Sequence, residues 1–211
     1  MQVMAILFDL DGVLVDTLDS WFNAFNDTYR KYGLREVSRQ EFIEKYWGHS
    51  TERGVGRMGK EAKEYCHAMH MEHLDKARLI DGSRELLDFC KEKFRTALVT
   101  NTPRRNTLRV LEAFGLQGYF DVLICSEDVH KKKPDPEMIL EACERLGVFP
   151  ENAILIGDTV LDVMAGHGAG CRVVGINVAS ADWNVKNLKE ARVLIERMLK
   201  QDQPKNVSAS S

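Results

Sequence analysis

The sequence has no apolar run long enough to cross a bilayer, no basic surplus, no paired cysteines and no internal repeat, and each lack removes a class of function. A membrane helix needs about 18 or more apolar residues in succession. The first apolar run, Val3 to Phe8, is too short for that or for a signal sequence, and Asp9 ends it at once. The expectation is a cytoplasmic protein with no membrane partner. The 29 Lys and Arg against 32 Asp and Glu leave a formal net charge of −3, so there is no electrostatic case for nucleic acid or an anionic membrane. The five cysteines, Cys66, Cys90, Cys125, Cys143 and Cys171, never form a C-x-x-C pair. An odd, scattered set is expected as reduced thiols packed as small apolar side chains.

What is present is an ordinary globular composition, 44% hydrophobic and 29% charged over 211 residues. That length suffices for one sizeable core, or for a core and a small second domain. Residues 3–8 read as a buried parallel strand. Residues 16–33 carry Leu18, Trp21, Phe22, Phe25 and Tyr29 at helical spacing, with Gly33 as the stop. Ser38 and Glu41 spell a capping box for a second helix, and a glycine-rich stretch from Gly48 to Gly59 precedes a third, from Lys60 to Arg78. After Leu79 the pattern alternates: helix 83–93, strand 95–100, helix 103–114, strand 121–125, helix 136–146, strand 153–157, helix 159–169, strand 172–178 and helix 184–200. Alternation of this kind predicts an α/β fold with a parallel sheet. The helical stretch 16–79 then reads as an insertion after the first strand, beside the place where open α/β sheets bind ligands. Gln201 to Ser211 is polar and small and is expected to be disordered.

The chemistry-bearing residues come at strand ends. Asp9 and Asp11, before Gly12, close the first apolar run; Thr100 and Asn101 close the run from Thr96; Asp158 and Asp162 follow the run Ala153 to Gly157. Lys133 opens Lys-Pro-Asp-Pro, where two prolines stiffen the backbone that aims it. Carboxylates gathered with one cation and a hydroxyl suit a Mg²⁺-assisted phosphoryl-transfer site, because Mg²⁺ takes oxygen ligands and shares them with substrate phosphate. Each motif also has a plainer reading: Asp-x-Asp-Gly as a surface turn, Asp158 and Asp162 as acids on a helix N-terminus, Thr100-Asn101 as a helix cap, Lys133 as part of a solvated basic run.

Taken together, Asp9-Leu10-Asp11-Gly12-Val13, Thr100, Lys133 before Pro-Asp-Pro and Gly157-Asp158-x-x-x-Asp162 resemble the haloacid dehalogenase superfamily. Within it the chain is similar to the phosphoglycolate-phosphatase-like hydrolases that carry a helical cap, over about residues 3 to 180. The resemblance implies a Rossmann-like core from residues 1–15 and 80–200 and an inserted helical cap from 16–79. It implies a phosphate monoester hydrolase acting on a small phosphorylated metabolite, with Asp9 as nucleophile and Asp11 as general acid and base. Thr100, Asn101 and Lys133 would hold the phosphoryl oxygens. Mg²⁺ would be bound by Asp9, Asp158 and the backbone carbonyl of Asp11, and Asp162 would orient Lys133 or a metal-bound water. Asp11 favours phosphoryl chemistry over dehalogenation, since the dehalogenases lack it. Trp21 stands where mutases similar to β-phosphoglucomutase carry a histidine, which disfavours a sugar-phosphate mutase. A pyrophosphatase and a non-catalytic module on the same fold stay open beside the phosphatase.

Three further motifs invite sites. Gly54-x-Gly56-x-x-Gly59 lacks the preceding strand that a dinucleotide fingerprint needs and reads as a loop of the cap. His67, His70 and His73 recur every three residues, not at the i, i+4 spacing of zinc helices, and are expected on an exposed cap helix. Trp47, His49, Arg53 and Arg57 are candidates for choosing the substrate, the two arginines sharing a helical face or standing solvated.

Overall fold

The computed structural model of the protein describes residues 3–202. The stretch 203–211, most of the expected tail, lies outside the described residues. The strands are β1 (Ala5–Phe8), β2 (Val15–Asp16), β3 (Arg78–Leu79), β4 (Arg95–Val99), β5 (Val122–Ile124), β6 (Ala153–Gly157), β7 (Arg172–Ile176) and β8 (Trp183–Val185). The helices are α1 (Leu18–Lys31), α2 (Arg39–Lys45), α3 (Lys60–Glu72), α4 (Ser83–Lys93), α5 (Arg104–Ala113), α6 (Glu137–Leu146), α7 (Val160–Ala169) and α8 (Leu188–Asp202).

Six strands form one parallel sheet in the order β5-β4-β1-β6-β7-β8. β1 is central because all four of its side chains are apolar and buried, as a parallel strand covered on both faces requires. Its alternation divides them between two layers. Ile6 and Phe8 pack with Leu86, Leu87, Val110, Leu111 and Ile195 from α4, α5 and α8. Ala5 and Leu7 pack with Met138, Ile139, Cys143 and Val163 from α6 and α7. The five cysteines are all buried, Cys90, Cys143 and Cys171 in these cores and Cys66 in that of the helical segment. The chain builds outward from β1 through β4 to β5, then returns to β6 and builds the other way. The reversal leaves a crevice at the carboxyl ends of β1, β4 and β6, where open α/β sheets bind ligands.

Between β1 and α4 lies the helical segment. Trp21, Phe25, Phe42, Val55, Ala62 and Cys66 give it an apolar cluster of its own, with α1 packed along α3. Where the chain leaves and returns, β2 and β3 pair antiparallel, Val15 opposite Leu79 and Asp16 opposite Arg78. Two-residue strands are too short to leave a period in the sequence, and the expected third helix, Lys60 to Arg78, is corrected: α3 ends at Glu72, and a 3₁₀ turn, Leu74–Lys76, leads from it into β3. The expected helix 184–200 is also corrected. Trp183–Val185 pairs with β7 as an edge strand, and α8 starts later, where the Asn187 side chain accepts from the Glu190 backbone N–H at 3.0 Å. At α2 only half the expected capping box forms. Ser38 Oγ accepts from the Glu41 N–H, but the Glu41 carboxylate turns to Lys45 and Arg35. No helix among the described residues is long and apolar enough to cross a membrane.

Candidate active site

Asp9 is the first residue past β1, and its backbone N–H donates to the Ile156 carbonyl of β6 at 3.0 Å, so the sheet itself fixes it. The chain then turns through Gly12, whose φ is +84°; a Cβ there would run into the Asp158 carboxylate, so glycine is required both for the turn and for the approach. Thr100 follows β4 and is held by its N–H to Ile124 O at 2.9 Å. Asp158 follows β6. Thr159 and Asp162 then form a reciprocal capping box that opens α7.

Lys133 joins these parts. Its ammonium is 2.9 Å from Asp9 Oδ1, 2.6 Å from Asp162 Oδ1 and 3.0 Å from the Val99 carbonyl, and the side chain is 2% exposed. Asn101 anchors it from behind. The Asn101 Oδ1 accepts from the Lys133 N–H at 3.0 Å, and its Nδ2 donates to the Lys133 carbonyl at 3.1 Å and to Gly48 O at 3.0 Å. The Asn101 amide is thus engaged with backbone in this structure, whereas sequence reasoning put it on a phosphoryl oxygen.

Asp11 is held separately. Its Oδ1 accepts from Thr17 Oγ1 at 2.5 Å and Trp21 Nε1 at 3.2 Å; its Oδ2 accepts from Thr102 Oγ1 at 2.6 Å and Thr100 Oγ1 at 3.4 Å. The hydroxyl of Thr100 therefore points at Asp11. Thr17 and Thr102 were missed in the sequence, although Thr102 lies two residues past Thr100 on the same loop. Trp47 was expected only as a substrate-choosing residue. Its indole N–H instead reaches across to Asp158 Oδ2 at 3.3 Å.

Two carboxylates, Asp9 and Asp162, bond the Lys133 ammonium, Asp158 and Asp11 bring two more to the site, and burial raises the cost of each charge. Burial pushes the Asp9 carboxyl well above its ordinary range against the pull of Lys133, and Asp162, Asp158 and Asp11 push it further. Asp158 is raised to about 7, by burial first and Asp162 second. Burial works against the Lys133 ammonium as well, but Asp162 and Asp9 outweigh it and hold its pKa above the usual value. The site is short of positive charge. Oxygens of Asp9, Asp158 and Asp162 lie within 4.8 Å of one another, and the buried Asp158 Oδ1 has no hydrogen-bond partner. Both Asp162 oxygens are taken, by Lys133 and by Thr159. Hard oxygen donors with one orphaned atom among them fit a divalent cation such as Mg²⁺.

A family model described as haloacid dehalogenase-like hydrolase matches residues 6–176. The chain belongs to that family. A phosphorylated carbohydrates phosphatase of Thermotoga maritima is 32% identical, over 91% of this chain and 90% of its own length. A phosphoglycolate phosphatase of Nitrosospira multiformis is 31% identical, over 93% and 97%. Among solved structures, CbbY from Rhodobacter sphaeroides in complex with phosphate superposes with a TM-score of 0.80 at 25% identity, covering 90% of this chain and 96% of that one. The chain is thus a hydrolase of the haloacid dehalogenase-like family, with the parallel α/β core expected of it.

The remaining motifs settle as structure. His70 is fully buried, not exposed. Its ring stacks on Trp21 with centroids 3.7 Å apart, and its Nδ1 is 3.0 Å from Asn106 Nδ2. His67 bonds Thr51 at 2.9 Å and His73 bonds Asp27 at 2.6 Å, so the three histidines face three different partners. Gly54, Gly56 and Gly59 lie in and around two 3₁₀ turns, Thr51–Arg53 and Gly56–Met58, with no strand before them. The same turns place Arg53 and Arg57 on separate short elements, so they share no α-helical face.

Proposed function

We propose that the chain is a Mg²⁺-dependent phosphatase that hydrolyses a small phosphate monoester through a phospho-aspartyl intermediate on Asp9. The observation that carries this reading is the buried Asp9 carboxylate, 2.9 Å from Lys133 and clustered with an unpartnered Asp158 oxygen at the carboxyl ends of the central strands. The phosphatase names of relatives matched over nine-tenths of the chain support it.

Asp9 attacks phosphorus, forming an acyl phosphate and breaking the bond to the leaving oxygen. Asp11 gives that oxygen its proton and is left as a carboxylate. It then takes a proton from water as the water attacks the phospho-aspartate, which releases phosphate and restores both acids. Thr17 and the Trp21 indole on one oxygen of Asp11, and Thr102 and Thr100 on the other, keep the carboxyl aimed through both halves. Lys133 moves part of its hydrogen bonding from Asp9 to the phosphoryl oxygens as charge leaves the nucleophile. Thr100 lies beside it at the end of β4, and Asn101 keeps the lysine backbone in place. Asp9, Asp158 and the Asp11 carbonyl would hold Mg²⁺, which when bound offsets the repulsion between an anionic nucleophile and an anionic phosphate. The helical segment, residues 16–79, serves as a lid; Trp47 and Gly48 bring it against Asp158 and Asn101.

The test is acid-quenched labelling with a ³²P-phosphate ester, with Mg²⁺ and with chelator, on the wild type and Asp9→Asn. Label is expected on the wild type with Mg²⁺ only, and Asp9→Asn is expected to lose turnover by about 10³-fold or more. An Asp9→Asn protein that keeps most of its phosphate release would remove Asp9 as nucleophile.

A further inference from the structure

The floor of the cleft is built for a phosphoryl group, but its wall is aromatic. Trp21 and Phe25 from α1, Phe42 from α2, and Tyr46 and Trp47 just after α2 line the side where a leaving group must lie. They are packed on one another: Phe25 to Tyr46 with ring centroids 4.5 Å apart, Phe25 to Phe42 5.4 Å, Phe42 to Trp47 6.5 Å. The cavity these groups enclose is small, about 50 Å³, and part of it is open to solvent.

Charge is distributed unevenly along this lining. Among the described residues the charged side chains that line the cleft are Asp9, Asp11 and Lys133. The Lys133 ammonium already has three partners, Asp9, Asp162 and the Val99 carbonyl, and any bond it releases goes to the phosphoryl group. His49 is the one other lining group that titrates near neutrality, and burial, with Arg53 nearby, lowers its pKa and keeps it neutral. Arg53 and Arg57 line a neighbouring cleft that shares Tyr46, together with Lys45 and Glu52. A substrate carrying a second anionic group would therefore set it against aromatic rings and two aspartates with no cation in the wall to pair it. A buried charge without a partner is disfavoured strongly. Aromatic faces, by contrast, gain from covering apolar or planar surface.

We infer that the substrate is a phosphate monoester whose leaving group is uncharged and packs its apolar or planar face on the Phe25–Phe42–Tyr46–Trp47 wall. The inference rests on the phosphatase reading and narrows it. Phosphocarboxylates, bisphosphates and pyrophosphate are disfavoured, and monophosphates of neutral alcohols are favoured. Ser50 and Thr51 at the lip of the cleft offer hydroxyls to a neutral alcohol and no charge.

Matched pairs of esters test it: 2-hydroxyethyl phosphate against phosphoglycolate, and phenyl phosphate against 4-carboxyphenyl phosphate, each with Mg²⁺ and read as kcat/KM for phosphate release. The neutral member of each pair is expected to be favoured by about tenfold or more, the discrimination that an unpaired charge readily supplies. Equal or reversed ratios would overturn the inference while leaving the phosphatase intact. Absence of release from all four esters, with no label on Asp9, would instead overturn the phosphatase reading and the inference with it. A charge added at the lip gives a second check. Ser50 makes no side-chain cap bond to the turn it precedes, so Ser50→Arg removes no cap. It is expected to narrow both ratios several-fold toward the anionic ester; unchanged ratios would count against the charge argument.

Discussion

Acid should destabilise this protein partly through one histidine, and His70→Phe should remove that part. His70 is fully buried in α3 and stacked on Trp21 with an interplanar angle of 9°. Its Nδ1 accepts from the Asn106 side chain, which places the ring proton on Nε2, an atom without a partner. Burial lowers its pKa to about 4, with Asp11 pulling the other way and His67 and His73 adding to the fall. The unfolded chain has a histidine near 6.5, so the folded protein binds fewer protons in this range. Its contribution to stability is therefore intact above the unfolded value and is lost as pH falls toward 4. At pH 4.5 those two values correspond to about 2.5 kcal/mol.

Phenylalanine keeps a planar ring on Trp21, takes up no proton and removes the orphaned N–H. Asn106 retains its bond to the His67 carbonyl at 2.9 Å. Urea unfolding followed by circular dichroism, on wild type and variant, should find them within about 1 kcal/mol of each other at pH 7.5. At pH 4.5 the variant should have gained about 2.5 kcal/mol relative to the wild type. The difference between the two proteins is the quantity to read. Asp9 and Asp158, with raised pKa values, contribute stability that grows as pH falls, and they do so in both proteins. A difference that stays flat from pH 7.5 to 4.5 would refute the assignment of His70 as a buried neutral ring.

Two further outcomes follow from the same charges. Lys133→Met leaves Asp9, Asp158 and Asp162 without their ammonium and should cost about 3–5 kcal/mol at pH 8 in urea unfolding, with the loss shrinking by pH 5.5 as Asp158, raised to about 7, takes up its proton; equal stability at pH 8 would mean that the ion pairs carry no weight. Mg²⁺ bound as proposed would have to displace that same proton, so its apparent affinity by titration calorimetry should rise about tenfold between pH 6 and pH 8. An affinity independent of pH would take Asp158 out of the cation site.

The parts of the fold and site that could be read in advance were those written locally. The strands β1, β4 and β6 at the middle of the sheet each end in an apolar run, and Asp9, Thr100 and Asp158 are the residues at or just after which those runs stop. A carboxylate cannot continue a strand buried on both faces, so the strand end and the site residue are the same signal. What could not be read depends on residues brought together from afar. Trp47 and Asp158 are 111 positions apart, and Thr102 and Asp11 are 91. No spacing within one segment encodes either contact. The burial of His70 was hidden for a similar reason. Its own helix is weakly amphipathic, and the ring is covered by Trp21 from α1 and Asn106 from α5. β8 went unseen because three residues at a sheet edge carry too little periodicity to outweigh the helical pattern that follows them.

The arrangement of donors explains why the site needs the helical segment even before any catalytic step. Gathering four carboxylates at the ends of parallel strands and then excluding water would leave their oxygens unsatisfied, since one lysine cannot serve them all. The segment and its entry supply the difference. Thr17 at the start of α1 and Trp21 within it donate to Asp11, and Trp47 donates to Asp158. Two of these three donors are indole N–H groups, which bring one hydrogen bond each and an apolar body that closes the cleft. An alkyl side chain would close it but leave the acid bare; an arginine would satisfy the acid but add a charge that competes with Mg²⁺. The same choice makes the wall of the cleft aromatic, so the demand of the acids for neutral donors and the preference for an uncharged leaving group have one physical origin. If that is correct, Trp47→Arg should weaken Mg²⁺ binding and favour anionic esters together, and a variant that changed one without the other would separate them.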